Sequence, residues 1–299
     1  MGPVGERDVL TDRFERERPR LGAVAYRMLG SSGEAEDAVQ ETWIRLNRTD
    51  VSGVDNLSGW LTTVIARVCL NTLRTREHRR EDPLEVDDGP EPVLGHRDAI
   101  DDPEQHALLA DSVGVALLVV LDTLAPAERL AFVLHDMFSV PFEEIATMLE
   151  RTPASVRQLA SRARRRVRGE AVAPHPDLPR QRQVVDAFLT ASRSGNFDAL
   201  VALLDPDVVL RADRAAGPTP EPIVIHGARF VAKGAGAAAE RARLSEPALV
   251  NGGVGLVMAR DGRLFLVLNF TVTEGRITEI DVIADPERLR QLDLAVLDQ

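Results

Sequence analysis

The sequence holds one cysteine, Cys69, and one lysine, Lys233, among its 299 residues. A single thiol excludes an internal disulfide and any cysteine-based metal site. Cys69 follows Val64, Ile65 and Val68 in an apolar pattern, where a buried, inert thiol is expected. The 35 arginines that stand against one lysine look like the bias of a GC-rich genome rather than a physical demand. No run of 18 apolar residues occurs, so no membrane-spanning helix is expected. The opening MGPVGERDVLTDRFERERPR is charged throughout and lacks the apolar segment of a secretory signal. Together these absences point to a soluble, cytoplasmic protein without a resident metal or cofactor.

What is present is unevenly placed. Apolar residues make up 44% of the chain, enough for two or three domains with cores of their own. The net charge is -11, yet residues 81–111 alone hold 11 acids and one arginine. Residues 153–168 show the opposite bias. They carry Arg157, Arg162, Arg164, Arg165, Arg166 and Arg168 without one acid.

Helical periodicity dominates the first part of the chain. Leu21, Val24, Ala25, Met28 and Leu29 share one face. Gly30 to Gly33 read as a turn, with Ser32 as the expected cap of a helix through Ala38, Val39, Thr42, Trp43 and Leu46. A third helix carries Trp60, Leu61, Val64, Ile65, Val68, Leu70 and Leu73, and ends in Arg74, Arg76, Arg79 and Arg80. Residues 81–105 hold four prolines among many acids, the composition of an extended linker. Helices resume near Glu104. A second break, AVAPHPDLP at residues 171–179, precedes a region of different texture. Helices over 180–194 and 197–204 are followed by β-rich segments at 208–210, 223–226, 255–258, 265–270 and 277–283. Turns are expected at 260–263 and 274–276. Helices followed by strands indicate an α+β domain.

The stretch EEIATMLERTPASVRQLASRARRRV gives two short helices around Thr152-Pro153. Thr152 suits the N-cap and Pro153 the first helical position. The inward face of the second helix reads Val156, Leu159, Ala160, Ala163 and Val167. This is a helix-turn-helix pattern, whose second helix would enter the DNA major groove. Arg157, Gln158, Ser161 and Arg162 fall on the outer face, where base edges would be met. Arg164, Arg165, Arg166 and Arg168 suit phosphates. The plainer alternative is a solvated basic helix resting on the acidic linker of the same chain.

Residues 21–168 resemble the bacterial sigma factors of the extracytoplasmic-function (ECF) group. AEDAVQETWIRL is similar to the sigma-2 segment that grips the beta-prime clamp helices of core RNA polymerase. The resemblance implies polymerase contacts by Asp37, Gln40, Glu41 and Trp43. GWLTTVIARVCLNTLRTREHRR is similar to the helix facing the -10 element. That likeness implies roles for Asn56, Ser58 and Trp60 beside a flipped base, and for Arg74, Arg76, Arg79 and Arg80 along the strand backbone. Caps and core anchors are equally consistent readings of Ser58, Trp60 and Trp43. LAPAERLAFVLHDMFSVPFEEIATMLERTPASVRQLASRARRRV resembles the sigma-4 domain that reads the -35 element.

The remaining 120 or so residues resemble the SnoaL-like extension of the SigJ-like kind, a curved sheet wrapped on helices that regulates the factor in cis. The implied organisation is multidomain: an all-α sigma-2 domain (8–80), an acidic linker (81–105), an all-α sigma-4 helix-turn-helix domain (106–170), a linker (171–179) and an α+β cone (180–299). The match is incomplete. The group's Asp-Gly-Gly-Gly-Lys motif falls at Asp213-Arg214-Ala215-Ala216-Gly217, and Asn-Pro-Asp-Lys-Leu becomes Asp285-Pro286-Glu287-Arg288-Leu289. Of Leu-Pro-Glu-Pro, only Pro90-Glu91-Pro92 remains. Asp213, His226, Asn269 and Asp281 are the candidate pocket residues of the cone, for a small-molecule ligand rather than for catalysis, since the domain lacks a tyrosine donor. The expected function is promoter recognition and transcription initiation with core RNA polymerase and promoter DNA. A polymerase-independent helix-turn-helix regulator with a ligand-sensing C-terminal domain is the alternative.

Overall fold

The computed structural model describes residues 4–51, 53–81, 114–170, 177–217, 221–260 and 262–297. The acidic linker lies outside the described residues. So do the side chains of Arg79 and Arg80, although their backbone is helical. The chain divides into two compact units, the first containing residues 124–164 together with the N-terminal helices, the second containing residues 110–123 and 165–299.

In the first unit, α1 (Val4–Leu29), α2 (Ser32–Arg48) and α3 (Leu57–Glu81) pack on one another. Leu21, Met28, Leu46, Leu61 and Ile65 are fully buried at their centre. Ser31, one residue before the expected cap, accepts from Glu34 N, so Ser32 is already helical. The same unit holds α5 (Pro126–Phe132), α6 (Phe142–Leu149) and most of α7 (Pro153–Val167). α5 runs into a π-turn over Val133–Met137. There His135 Nδ1 donates to Val140 O at 3.0 Å and its ring stacks on Phe142 at 3.7 Å.

The second unit is built on a seven-stranded sheet. β1 (Leu204–Ala212), β2 (Ile223–His226), β3 (Ser245–Val250), β4 (Gly253–Arg260), β5 (Arg263–Thr273), β6 (Arg276–Ile283) and β7 (Leu294–Ala295) lie in the order β2-β1-β6-β5-β4-β3-β7. Only β1 and β6 run parallel. The β5–β6 hairpin turns through Glu274 and Gly275, both at positive φ, the geometry that suits the twist of a tight hairpin. One sheet face packs on α8 (Leu178–Ser194), α9 (Phe197–Leu203), α10 (Ala228–Ala237) and α11 (Ala239–Arg243), around Val185, Phe188, Leu200, Leu256, Phe270 and Ile280. This is the expected α+β cone. All five β-rich segments lie within strands. β3, β7, α10 and α11 escape the sequence patterns, because Pro247 interrupts the first and Gly234 and Gly236 weaken α10.

The other sheet face is covered as well. α4 (Val115–Asp122) lays Ala116, Val119 and Val120 against Ala248, Val250, Val257, Val267, Ile283 and Leu294. Val167, at the end of α7, joins this cluster, and its carbonyl accepts from Val296 N at 2.9 Å. Gly169 follows at φ +69, where an added Cβ would stand 2.8 Å from the Ala295 Cβ. Burial of α4 thus belongs to the C-terminal sheet, although its sequence precedes the helix-turn-helix.

Candidate nucleic-acid and polymerase interfaces

The helix-turn-helix forms as its residues dictate. α6 stops at Glu150, which takes a left-handed conformation (φ 55), and Arg151 N donates to Ala146 O. Thr152 Oγ1 then accepts from Ser155 N at 3.2 Å and starts α7. Val156, Leu159, Ala160 and Ala163 are buried, while Arg157, Gln158, Ser161 and Arg162 are exposed together on the other side. The arginines are not loose. Arg157 pairs with Glu143 at 3.0 Å and lies over the Phe142 ring. Arg162 pairs with Glu128 at 2.9 Å, and Arg164 with Asp136 at 2.6 Å. Arg165 is exposed, and Arg166 donates to Thr123 O at 3.4 Å.

On α2, Asp37 and Gln40 are exposed on one polar face. Glu41 is half-buried and pairs with Arg45 at 2.8 Å. Trp43 packs its ring 4.9 Å from that of the buried Phe14 and keeps part of its surface open. Trp43 is therefore both an anchor and a surface group.

The residues considered for the -10 element divide into two sets. Asn56 is exposed, and its Oδ1 accepts from Gly59 N at 2.9 Å, capping α3. Trp60 is half-buried and Arg74 exposed. Ser58 is already engaged inside the unit: it donates to Glu17 Oε2 at 2.9 Å and accepts from Arg20 at 3.0 Å. Arg76 is turned inward too. It pairs with Glu34 and donates to Leu29 O at 3.2 Å, with 15% of its side chain exposed. Arg76 is thus engaged within the helical bundle.

Sequence patterns missed Arg129, the largest fully buried side chain among the described residues. Its Nε donates to Arg27 O at 3.2 Å. Arg27 in turn lies over the Phe138 ring, and burial lowers its pKa. Burial pushes the Cys69 thiol up to about 12, against an opposing pull from Arg129. An arginine in the middle of a short helix carries no pattern that distinguishes it from a solvated one.

The four pocket candidates of the cone do not converge. Asp213 closes a turn: its Oδ2 accepts from Ala284 N at 3.0 Å, Asp285 N at 2.9 Å and Arg288 at 3.3 Å. It therefore ties the two altered motifs together, and Asp285 caps α12 (Pro286–Arg290). His226 is exposed beside an open depression that Arg229, Phe230 and Arg276 also line. Asn269 and Asp281 sit opposite each other across β5 and β6. By alternation they share the parity of Val267 and Ile283, the face that α4 covers. The cavity inside the cone is lined by other residues, among them Phe188, Ser192, Leu256, Met258, Leu268 and Val282. Among the described residues no cluster of three metal-ligating side chains occurs, and no helix is long and apolar enough to cross a membrane.

The sequence is similar to those of known proteins. The chain matches Sigma-70 region 2 over residues 13–79 and Sigma-70, region 4 over residues 114–167. It is 37% identical over 293 residues to the ECF RNA polymerase sigma factor SigJ of Mycobacterium tuberculosis, covering 92% of this chain and 91% of that protein. The probable ECF RNA polymerase sigma factor SigI of the same species is 35% identical over 298 residues, covering 97% and 98%. The crystal structure of Mycobacterium tuberculosis SigJ aligns with 93% of this chain and 97% of that one, at TM-score 0.46 and 33% identity. With exposed basic residues on α7, a helical bundle carrying the region 2 sequence, and relatives matched over almost their whole length, the chain belongs to the extracytoplasmic-function sigma factors of bacterial RNA polymerase, which direct promoter recognition and transcription initiation.

Proposed function

We propose that Arg157, Gln158, Ser161 and Arg162 read the -35 element, with Arg164, Arg165 and Arg166 on flanking phosphates. The observation that carries this reading is the clean division of α7 between a buried apolar face and an exposed basic one. Asp37, Gln40, Glu41 and Trp43 form the patch for the beta-prime clamp helices. Asn56, Trp60 and Arg74, with Arg79 and Arg80, serve the -10 element, while Ser58 and Arg76 hold the bundle that presents them. The C-terminal domain, SnoaL-like by sequence resemblance, regulates in cis and takes a small-molecule ligand. Its hold on α4 and on the end of α7 supports a direct effect on region 4.

Transcription in vitro with purified core polymerase, on promoters selected from genomic fragments, tests the assignment. Full-length protein is expected to give specific transcripts, and Arg157→Ala with Arg162→Ala to abolish them while polymerase binding persists. Unchanged transcription by that double variant would overturn the -35 assignment. Loss of polymerase binding by Asp37→Ala with Glu41→Ala is the matching expectation for α2. Retained binding would remove those acids from the interface.

A further inference from the structure

Ser192, on α8, is 4% exposed, and its hydroxyl has no hydrogen-bond partner among the described residues. A buried hydroxyl without a partner is unfavourable, so its position calls for a reason. It lines the cone cavity, whose volume is about 190 Å³. The surrounding wall is apolar, from Phe188 and Leu189 on α8 to Leu256, Met258 and Leu268 on the sheet. The other buried serine of the lining, Ser245, is committed to Arg241 O at 3.1 Å. The one charged residue of the lining, Arg241, is exposed. The interior therefore offers one open hydrogen-bonding position and nothing to offset a buried charge.

We infer that the cavity binds a small, neutral, largely apolar molecule with one hydrogen-bonding group, held by the Ser192 hydroxyl, and that α4 senses its presence through the sheet. The inference rests on the reading of the C-terminal domain as a small-molecule sensor and names the ligand's chemistry. Size supports it: an apolar protein cavity of roughly 150 Å³ accepts benzene. A cavity of about 190 Å³ therefore suits a six-membered ring with one polar substituent. Strand alternation provides the coupling. Leu256 and Met258 line the cavity while Val257, between them, packs in the α4 cluster. Leu266 and Leu268 flank Val267 in the same way, and Val282 adjoins Ile283. Three central strands are thus held between ligand and α4, and ordering of one face is felt on the other.

Phenol and toluene serve as probes of the full-length chain, with binding read by saturation-transfer NMR titration. Hydrogen exchange of residues 115–122 is measured alongside. Phenol is expected to bind, to weaken about three- to tenfold in Ser192→Ala, the range of one hydrogen bond, and to slow exchange in α4. Toluene is expected to bind Ser192→Ala as well as it binds the parent. Ala235→Leu, which fills the cavity from α10, is expected to abolish both. Absence of phenol binding at tens of millimolar, or equal phenol binding by Ser192→Ala, overturns the ligand class. Binding with unchanged α4 exchange overturns the coupling. Neither result touches regulation in cis, which is read separately by the effect of C-terminal truncation on transcription.

Discussion

Val119→Ala provides a direct test of the contact between region 4 and the C-terminal sheet. Val119 is 1% exposed, in a cluster with Val257 and Val267, each fully buried. The substitution removes two methyl groups, at about 0.8 kcal/mol each, and leaves a small cavity that brings the loss to about 2 kcal/mol. If α4 is held by this face, its amides exchange through an opening that becomes easier by that amount, which is about 30-fold in protection. Leu118 and Val120 are suitable reporters in native-state hydrogen exchange followed by mass spectrometry or NMR. Val267→Ala makes the corresponding change from the sheet side and is expected to lower α4 protection by a similar factor. The reasoning is refuted if Val267→Ala destabilises the sheet while α4 keeps its parent protection. In that case α4 is held by other neighbours, and the C-terminal domain has no mechanical hold on region 4.

Further outcomes are expected at separate sites. Arg157→Ala should relax discrimination at one promoter position by about 1–3 kcal/mol, whereas Arg165→Ala should weaken binding evenly and reduce the salt slope by about one; promoter-variant titrations at several salt concentrations distinguish them. Cys69 keeps its proton in the folded state up to about pH 12, whereas in the unfolded chain it ionises near pH 8.5. Stability is therefore expected to fall between these values, by about 1.4 kcal/mol per pH unit from this group, and native protein should resist thiol alkylation until it unfolds. A Cys69→Ala variant with the same alkaline stability loss would contradict this. At Gly255 an added Cβ would meet Leu268 O at 2.8 Å and Val250 Cγ2 at 2.6 Å. Gly255→Ala should thus lower the denaturation midpoint of the C-terminal unit, and a parent-like midpoint would show that β4 can shift to accept a side chain.

The division between what the sequence reveals and what it hides has physical causes. The helix-turn-helix was legible because Thr152, Pro153 and the apolar spacing of Val156, Leu159, Ala160 and Ala163 all agree on one register. The cone's strands were legible as β-rich, but their faces were not. In β4 every residue from Val254 to Met258 is buried, so no apolar–polar alternation marks the side that lines the cavity. The chemistry of Asn269 and Asp281 suggests a pocket, but the pleat places them on the opposite side from Leu268 and Val282. α4 held a clue of the same kind. Its eight residues, VALLVVLD, are apolar almost all round, and five are buried. A helix of that composition needs more than one covering surface. Ser192 was invisible because a serine in an amphipathic helix is ordinary until its neighbours are known.

The placement of charge gains a mechanical meaning from the structure. An acidic chain with one basic helix would be expected to hold that helix by opposite charge, and three arginines of α7 do have acidic partners. These partners are not linker residues, however. Glu143 lies in the helix-turn-helix itself, and Glu128 and Asp136 in the α5 and π-turn segment just before it. The exposed Arg157–Glu143 pair contributes about 0–1 kcal/mol, so it orients the guanidinium group without trapping it, and the other two pairs keep their arginine ends open to solvent. Phosphate contacts release counterions as well as forming charged hydrogen bonds, and can displace such weak partners one at a time. Burial gives a stronger hold than such pairs, and in α4 it comes from the sheet. The two sets of residues are separate: apolar ones on α4 pack on the sheet, and basic ones on α7 stay presented to solvent.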